Sequence, residues 1–361
     1  MRFPSQCLRI EHLLIRRIES GEYPHNSFLP SENDLAAHFG AARNTVRKAI
    51  AALVEKGMIL KSQGRMSKVN YPASLVSGLP RYLAWFWYLH PSVMTTNTIY
   101  FEMFKLMVEF AREEGLGVQI FDLNSPGKWQ DDFLHDKSCV GAFSVGVSER
   151  TVSIEAINWL KTLPRLIAVN DTGGNPGCCL VSIDNYAGGR IAAEHLLDTG
   201  ARNMILLHTH AEKDHPFQMR MQGFRDVVTA RCGSSCTVKE FAVRENDWNS
   251  TISECETILQ SNPDVEALFC LTDQLALNML DAAARAGKKV PDDLLVMGFD
   301  GTYAGQHIAT PLTSVSQPLE EVVRTALDLA LEMDRGNGII TQRNILFPGK
   351  LLPGATTGKR R

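Results

Sequence analysis

Arg43, Asn44, Thr45, Arg47 and Lys48 fall within one turn and a half of an otherwise apolar-periodic stretch. A guanidinium fork can bind O6 and N7 of a guanine with two hydrogen bonds, worth about 1–3 kcal/mol of base discrimination. A second set of polar and aromatic residues, Trp87, Tyr88, Asn170, Asp171, Asp184, Asn185, Thr272, Asp273 and Asp300, stands just after short apolar runs. Groups placed at the ends of parallel strands in this way hold small polar ligands. Both sets do binding chemistry. The chain carries no G-x-G-x-x-G, no G-x-S-x-G and no cluster at metal-ligand spacing, so no catalytic residue, cofactor or metal is expected and the chain is not read as an enzyme.

The elements that must present the basic set are short. Leu8, Ile10, Leu13, Leu14 and Ile18 recur at helical spacing over residues 6–20, and Gly21 stops the pattern. Ser31 is placed to cap a second helix whose first turn holds Glu32 and Asp34 and whose buried face is Leu35, Ala36 and Phe39. Gly40 permits a turn into a third helix, from about 42 to 55, with Val46, Ala49, Ile50 and Leu53 inward and the basic set outward. Two short strands, MILKS and MSKVN, then flank Gln63-Gly64-Arg65 and form a hairpin carrying Lys61, Arg65 and Lys68. Helix, tight turn, basic-faced helix and hairpin make a winged helix-turn-helix, in which the second helix of the pair enters the major groove.

Residues 71–80 read as a linker rich in proline, serine and glycine, so the expected domains are 1–70, a linker 71–80 and 81–361. Beyond the linker, apolar runs (YLAWFWYL, VQIFDL, RLIAVN, VSID, NMILLH, VKEFAV, EALFCL, LLVMGF) alternate with helical stretches over 99–114, 151–162, 187–198, 217–231, 250–260, 274–286 and 319–334. Such βα repetition implies parallel sheet covered by helices, and so many strands imply two similar lobes. Asp273 is read as the cap of the helix that follows it, and Asp184 and Asn185 as a cap or hinge where the chain crosses between lobes.

The charge is uneven. The whole chain is at −3, yet its first 70 residues hold 11 Lys/Arg against 6 Asp/Glu, which leaves 26 against 34 in the rest. A basic head on an acidic body suits a polyanion partner at one end only. No signal-peptide core and no run of roughly 18 apolar residues is present, so a cytoplasmic protein with no membrane partner is expected. The eight cysteines are then small buried hydrophobes, the Cys232/Cys236 pair included.

Residues Leu29-Pro30-Ser31-Glu32, Leu35-Ala36, Phe39-Gly40, Arg43, Thr45-Val46-Arg47, Ala49, Leu53, Gly57 and Gln63-Gly64 together resemble the GntR family of winged-helix regulators, and in particular its arabinose-repressor branch. Asn33 and Met66 stand where that family often has arginine and glycine. The resemblance implies DNA contacts from Arg43 and Arg47, and Ser31, Glu32, Asn44, Thr45 and Lys48 beside them and Gln63, Gly64 and Arg65 in the wing are expected to contact DNA as well. The stretches VSIDNYAGGRIAAEHLLDTGARNMILL, MRMQGFRD, ALFCLTDQLALNMLDAAARAGKKVPDDLLVMGFDG and TPLTSVSQP are similar to the LacI/GalR effector domain, a relative of periplasmic sugar-binding proteins. That likeness implies a two-lobed α/β periplasmic-binding-protein-like fold with effector contacts from Tyr100, Arg220, Trp248, Thr272, Asp300 and Gln317, beside Tyr88 at its strand end. Arg220 would fork onto ring and hydroxyl oxygens, Asp300 would accept from two hydroxyls and Trp248 would stack on a sugar face, unless it is ordinary core.

These readings lead to a homodimeric transcription regulator, in the common arrangement a repressor, that binds double-stranded operator DNA under the control of a small polar effector, a mono- or oligosaccharide or its phosphate. The competing classes are a sugar receptor without DNA binding, against which the basic first 70 residues speak, and an enzyme.

Overall fold

The structure is a computed structural model. It describes residues 6–19, 22–61, 66–71, 81–88, 98–125, 130, 133, 136, 138–147, 151–163, 165–170, 178–209, 215–244, 248–335 and 343–358. Two compact units divide the chain, one of residues 1–84 with 114–119 and 125–140, the other of 85–113, 120–124 and 141–361.

At the N-terminus, α1 (Gln6–Glu19), α2 (Glu32–His38) and α3 (Arg43–Glu55) precede a two-stranded wing of β1 (Ile59–Leu60) and β2 (Lys68–Val69). The wing pairs antiparallel, Ile59 opposite Val69 and Leu60 opposite Lys68. Ser31 caps α2 as expected: its Oγ accepts from the Asp34 amide at 3.2 Å, and the Asp34 carboxylate accepts from the Ser31 amide at 3.3 Å. Gly40 makes the turn in the left-handed region at φ 53°. Ile10, Leu14 and Ile18 of α1 meet Leu35, Phe39, Val46, Ala49, Ile50 and Leu53, with Ile59 and Val69 closing the core from the wing. Each large side chain so buried contributes roughly 1.5–3 kcal/mol. The wing tip expected to carry Gln63, Gly64 and Arg65 lies outside the described residues.

The remaining elements, in chain order, are β3 (Tyr82–Trp87), α4 (Thr98–Glu113), β4 (Gly117–Asp122), β5 (Cys139–Val145), α5 (Ile154–Leu160), β6 (Leu166–Val169), β7 (Cys179–Asp184), α6 (Asn185–Asp198), β8 (Asn203–Thr209), α7 (His215–Cys232), β9 (Thr237–Val243), α8 (Trp248–Ser261), β10 (Ala267–Cys270), α9 (Asp273–Arg285), β11 (Leu295–Asp300), α10 (Tyr303–Gln306), β12 (Thr313–Ser316), α11 (Leu319–Arg335), β13 (Asn344–Pro348) and β14 (Lys350–Leu352). They form two six-stranded sheets, β13-β7-β6-β5-β3-β4 and β14-β12-β11-β10-β8-β9. The two-lobed α/β expectation holds, with three corrections.

Strand β5, between β6 and β3, was not among the expected strands. Its glycine explains why: a Cβ on Gly141 would come within 2.6 Å of the Ala330 Cβ, so the tight approach of α11 demands a residue that weakens the strand pattern. The expected series also closed on a helix, whereas β12, β13 and β14 surround and follow that helix, α11. Finally, β14 runs antiparallel to β12, so the second sheet is mixed. The chain therefore crosses between sheets at β7 to α6, again between β12 and α11, and once more at Gly349 between β13 and β14.

Helices α6 and α7 pack backbone to backbone. A Cβ on Gly189 would collide with the carbonyl oxygen of Arg220, and one on Gly223 with that of Tyr186. Backbone cannot yield as a flexible side-chain tip can. Gly223→Ala is therefore expected to destabilise this lobe by about 1–3 kcal/mol or more, the usual cost of overpacking. Thermal unfolding should show a single lowered midpoint for this variant; an unchanged midpoint would mean the helices are free to separate.

Candidate functional site

The first turn of α3 exposes Arg43, Asn44, Arg47 and Lys48, with Thr45 half-buried beside them. Arg43 and Arg47 each donate Nε–H to Oε2 of Glu32, at 3.1 and 3.2 Å, and Lys61 Nζ donates to Oε1 at 3.0 Å. Three cations against one carboxylate leave the cluster positive, and Glu32 sets their spacing. Burial works against the Glu32 charge, but the three donors outweigh it and take its pKa down to about 2. Because each Nε is occupied, the two terminal nitrogens of Arg43 and Arg47 are the ends left to meet a base edge or phosphate. Ser31 uses its hydroxyl in the cap, donating to Asp34 Oδ2 at 2.6 Å as well. Glu32 thus has a second role that the sequence did not disclose, tying the start of α2 to both the recognition helix and the wing.

In the second lobe, Arg220 of α7 is only 4% exposed. Its Nε donates to Asn185 Oδ1 at 2.8 Å, and one terminal nitrogen donates to the Leu271 carbonyl. The same nitrogen is 3.9 Å from Asp300 Oδ1, and the guanidinium lies over the Phe299 ring with its carbon 3.6 Å from the centroid. Burial lowers the Arg220 pKa to about 10, against the opposing pull of Asp300, Tyr100 and Asp273, so it stays charged at neutral pH. Asp300 ends β11 in the left-handed region at φ 121°, where a non-glycine residue is strained. Gln317 holds it from both sides, Nε2 donating to Oδ1 at 2.7 Å and the Gln317 amide donating to the Asp300 carbonyl at 3.1 Å. Oε1 of Gln317 is buried and has no hydrogen-bond partner. Burial raises the Asp300 carboxyl to about 7, with Arg220 lowering and Asp273 raising it.

Asp273 does not cap α9. Thr272, in an extended conformation, is the N-cap, its Oγ1 accepting from the Leu275 amide at 3.2 Å. Asp273 is helical and fully buried, turned inward to accept from the Thr302 amide at 2.6 Å, the Thr302 hydroxyl at 3.0 Å and the Ser314 hydroxyl at 2.5 Å. It fastens the turn after Asp300 to β12, while the Thr272 hydroxyl is committed to the cap. Asp184 caps α6, accepting from the Ala187 amide at 2.8 Å. Its neighbour Asn185 acts on Arg220 instead of on the helix end.

Of the expected effector residues, Arg220, Asp300 and Gln317 come together. Tyr100, buried in α4 against Gly146, is coupled electrostatically to Arg220. Tyr88 is buried just after β3. Trp248 stands apart: it opens α8, is 45% exposed, which excludes the core reading, and donates its indole N–H to Asp281 Oδ2 at 3.3 Å. Asp281 lies about two turns beyond Thr272 on α9. Asn170, at φ 49°, accepts from the Ser182 hydroxyl at 3.2 Å, and Asp171 lies outside the described residues. Sequence reasoning placed Asn185 at a strand end but read it as a cap or hinge and not as a partner of Arg220, and it missed Phe299, for which the aromatic before Asp300 was the available signal. Only three cysteines, Cys179, Cys255 and Cys270, are buried; the other five are half-buried, because they sit at element ends and turns. Among the described residues no helix is long and apolar enough to cross a membrane.

Asp300 gives a pH signature. An unfolded carboxyl would ionise near 3.8, but the folded one keeps its proton to about 7. Between those values the native state binds more protons than the unfolded state, so this group's contribution to stability declines as pH rises. Thermal midpoints measured across this range should show Asp300→Asn with a shallower decline than wild type; parallel curves would refute the assignment.

Residues 6–69 match the family of bacterial regulatory proteins, gntR family, and residues 193–357 match a periplasmic binding protein-like domain. Among curated proteins, the ribose operon repressor of Halalkalibacterium halodurans is 30% identical over 185 residues, 51% of this chain and 54% of the relative. The HTH-type transcriptional regulator CelR of Thermobifida fusca is 30% identical over 158 residues, 43% and 45% of the two chains. The chain thus spans about half the length of the curated relatives it matches. Among solved structures, a LacI family transcriptional regulator from Enterococcus faecium with bound ribose aligns with TM-score 0.64 at 18% identity, covering 78% of this chain and all of that one. The CelR–cellobiose complex aligns with TM-score 0.64 at 18% identity, covering 91% and 100%. The fold is therefore that of the two-lobed periplasmic-binding-protein-like domain, joined to a gntR-type helix-turn-helix module.

Proposed function

We propose that this chain is a transcription regulator that binds operator DNA through residues 1–70 and answers to a small polyhydroxylated effector, a sugar or sugar phosphate, held in the 81–361 region beyond the 71–80 linker. The observation that carries the effector half is the Arg220–Asp300–Gln317 constellation: a buried fork donor, a two-oxygen acceptor and an unpartnered amide oxygen gathered over an aromatic face. Adjacent hydroxyls satisfy such a set by donating to the carboxylate while accepting from the guanidinium. The observation that carries the DNA half is the exposed pair Arg43 and Arg47, spaced by Glu32.

In this reading two copies grip two half-sites, and the separation of their helix-turn-helix heads must match the DNA repeat. Effector binding changes that separation, and roughly 5.5 kcal/mol of differential affinity would take a two-state balance from 1:99 to 99:1. The reading takes the chain as a cytoplasmic homodimeric repressor that the effector releases from its operator, and the name of one relative, a ribose operon repressor, supports the repressor part. The reading includes no catalytic step. Trp248, Tyr88 and Tyr100 are proposed as further effector contacts, and Ser31, Asn44, Thr45, Lys48, Gln63, Gly64 and Arg65 as further DNA contacts.

A screen of monosaccharides and their phosphates by thermal shift identifies the effector, since a ligand of the native state raises the apparent midpoint by mass action. With that ligand and the chain's own upstream DNA, Arg47→Ala is expected to weaken the mobility-shift complex by about 1–3 kcal/mol while preserving the ligand shift. Asp300→Ala should do the reverse. Loss of both activities in both folded variants, or an effector that leaves DNA affinity unchanged across salt concentrations, would overturn the proposal.

A further inference from the structure

Cys232 and Cys236 bracket a single 3₁₀ turn, Gly233–Ser235, at the C-terminal end of α7. Gly233 turns the chain out of the helix in the left-handed region at φ 52°, and β9 starts at Thr237, directly after Cys236. This reversal sets the two cysteines at either end of one short turn, where the Cys232 sulfur adds to the larger effect of burial in raising the Cys236 thiol. Both are half-buried, and the three residues between them are exposed, so a small molecule can reach the pair. The charged side chains that act on Cys236 are Arg202, at the start of β8, and Glu266, before β10. By contrast Cys255 and Cys270 are sealed in the core, where burial pushes the Cys255 thiol up to about 12 and holds that of Cys270 well above its ordinary value. Those two are inert spacers.

We propose that Cys232 and Cys236 form a reversible dithiol–disulfide couple, a modification site at the base of the effector lobe that takes low-molecular-weight disulfides as its oxidant. Burial and the Cys232 sulfur hold the proton on Cys236, whose pKa rises to about 11, and the couple is written with Cys232 attacking first. The Cys232 thiolate attacks one sulfur of R–S–S–R, forming a mixed disulfide and expelling one thiolate. Cys236 then loses its proton and attacks the Cys232 sulfur, expelling the second. Two protein thiols are oxidised to one disulfide, the reagent is reduced to two R–SH, and the two protons finish on the leaving groups. Closure ties the end of α7 to the start of β9 about three turns from Arg220 on the same helix. Disulfides in a reducing compartment are usually transient and redox-sensing, which fits a half-exposed pair on a tight turn.

The test uses the full chain and glutathione disulfide under native conditions, followed by alkylation and peptide mass mapping. The expected wild-type product lacks two hydrogens, carries no glutathione, joins Cys232 to Cys236 and is restored by dithiothreitol. Cys236→Ser should stop at a glutathione adduct on Cys232. A stable glutathione adduct on the wild type, two thiols still free after prolonged incubation, or pairing of either with another cysteine would each overturn the proposal. Phenylarsine oxide gives an independent reading on the unsubstituted protein, because one arsenic must bridge two neighbouring sulfurs. Capture at Cys232 and Cys236 that a dithiol reverses and a monothiol does not is expected, and failure of that capture would sink the couple.

Discussion

A guanidinium taken out of water costs several kcal/mol unless its donors and its charge are both met. Arg220 meets that demand with an amide oxygen from α6, a carbonyl from the residue after β10, a carboxylate at the end of β11 and an aromatic face beneath it. These partners come from three separate parts of the lobe, the carboxylate and the ring both from β11. The second lobe can therefore hold this side chain only if α6, α7, β10 and β11 keep their mutual positions. The glycine contacts between α6 and α7 follow from the same requirement, since any wider spacing would lift Arg220 away from Asn185. The buried Asp273 extends it, fastening the turn that carries the strained Asp300.

The two carboxylates at the centres of the two candidate sites show how setting decides ionisation. Glu32 is near the surface with three cations in direct contact, and its pKa falls to about 2. The Asp300 side chain is only 12% exposed, its one cation stands 3.9 Å away and Asp273 acts against it, and its pKa rises to about 7. The first arrangement suits a permanent frame for positive side chains. The second leaves an acceptor whose charge is incompletely satisfied, which is what an incoming donor can exploit.

Much of this was readable from residue order. The helix-turn-helix followed from apolar spacing around Gly40, and α2 and α3 begin within a residue of where the cap and turn residues place them. Arg220, Asp300 and Gln317 were singled out by resemblance and by position at strand ends, and they do meet. What failed was anything fixed by partners distant in sequence. Thr272 and Asp273 are both good caps in isolation, and only the arrival of Thr302 and Ser314 turns Asp273 inward. Gly141 looks like a strand breaker until Ala330 is placed over it. The five half-buried cysteines were misjudged because composition says nothing about which element ends face solvent.

Asn185 joins the Arg220 cluster to the path of the chain between the sheets. It is the first residue of α6, where the chain leaves the first sheet for the second, and its amide oxygen holds the Nε of Arg220. A ligand that draws Arg220 toward its own oxygens competes with that amide, and so acts on the backbone at the crossing itself. A second crossing, between β12 and α11, carries Gln317, whose Nε2 donates to Asp300 Oδ1 at 2.7 Å, and the third is at Gly349 between β13 and β14. Asn185 and Gln317, which hold Arg220 and Asp300 by hydrogen bonds of 2.8 and 2.7 Å, thus both stand where the chain passes from one sheet to the other.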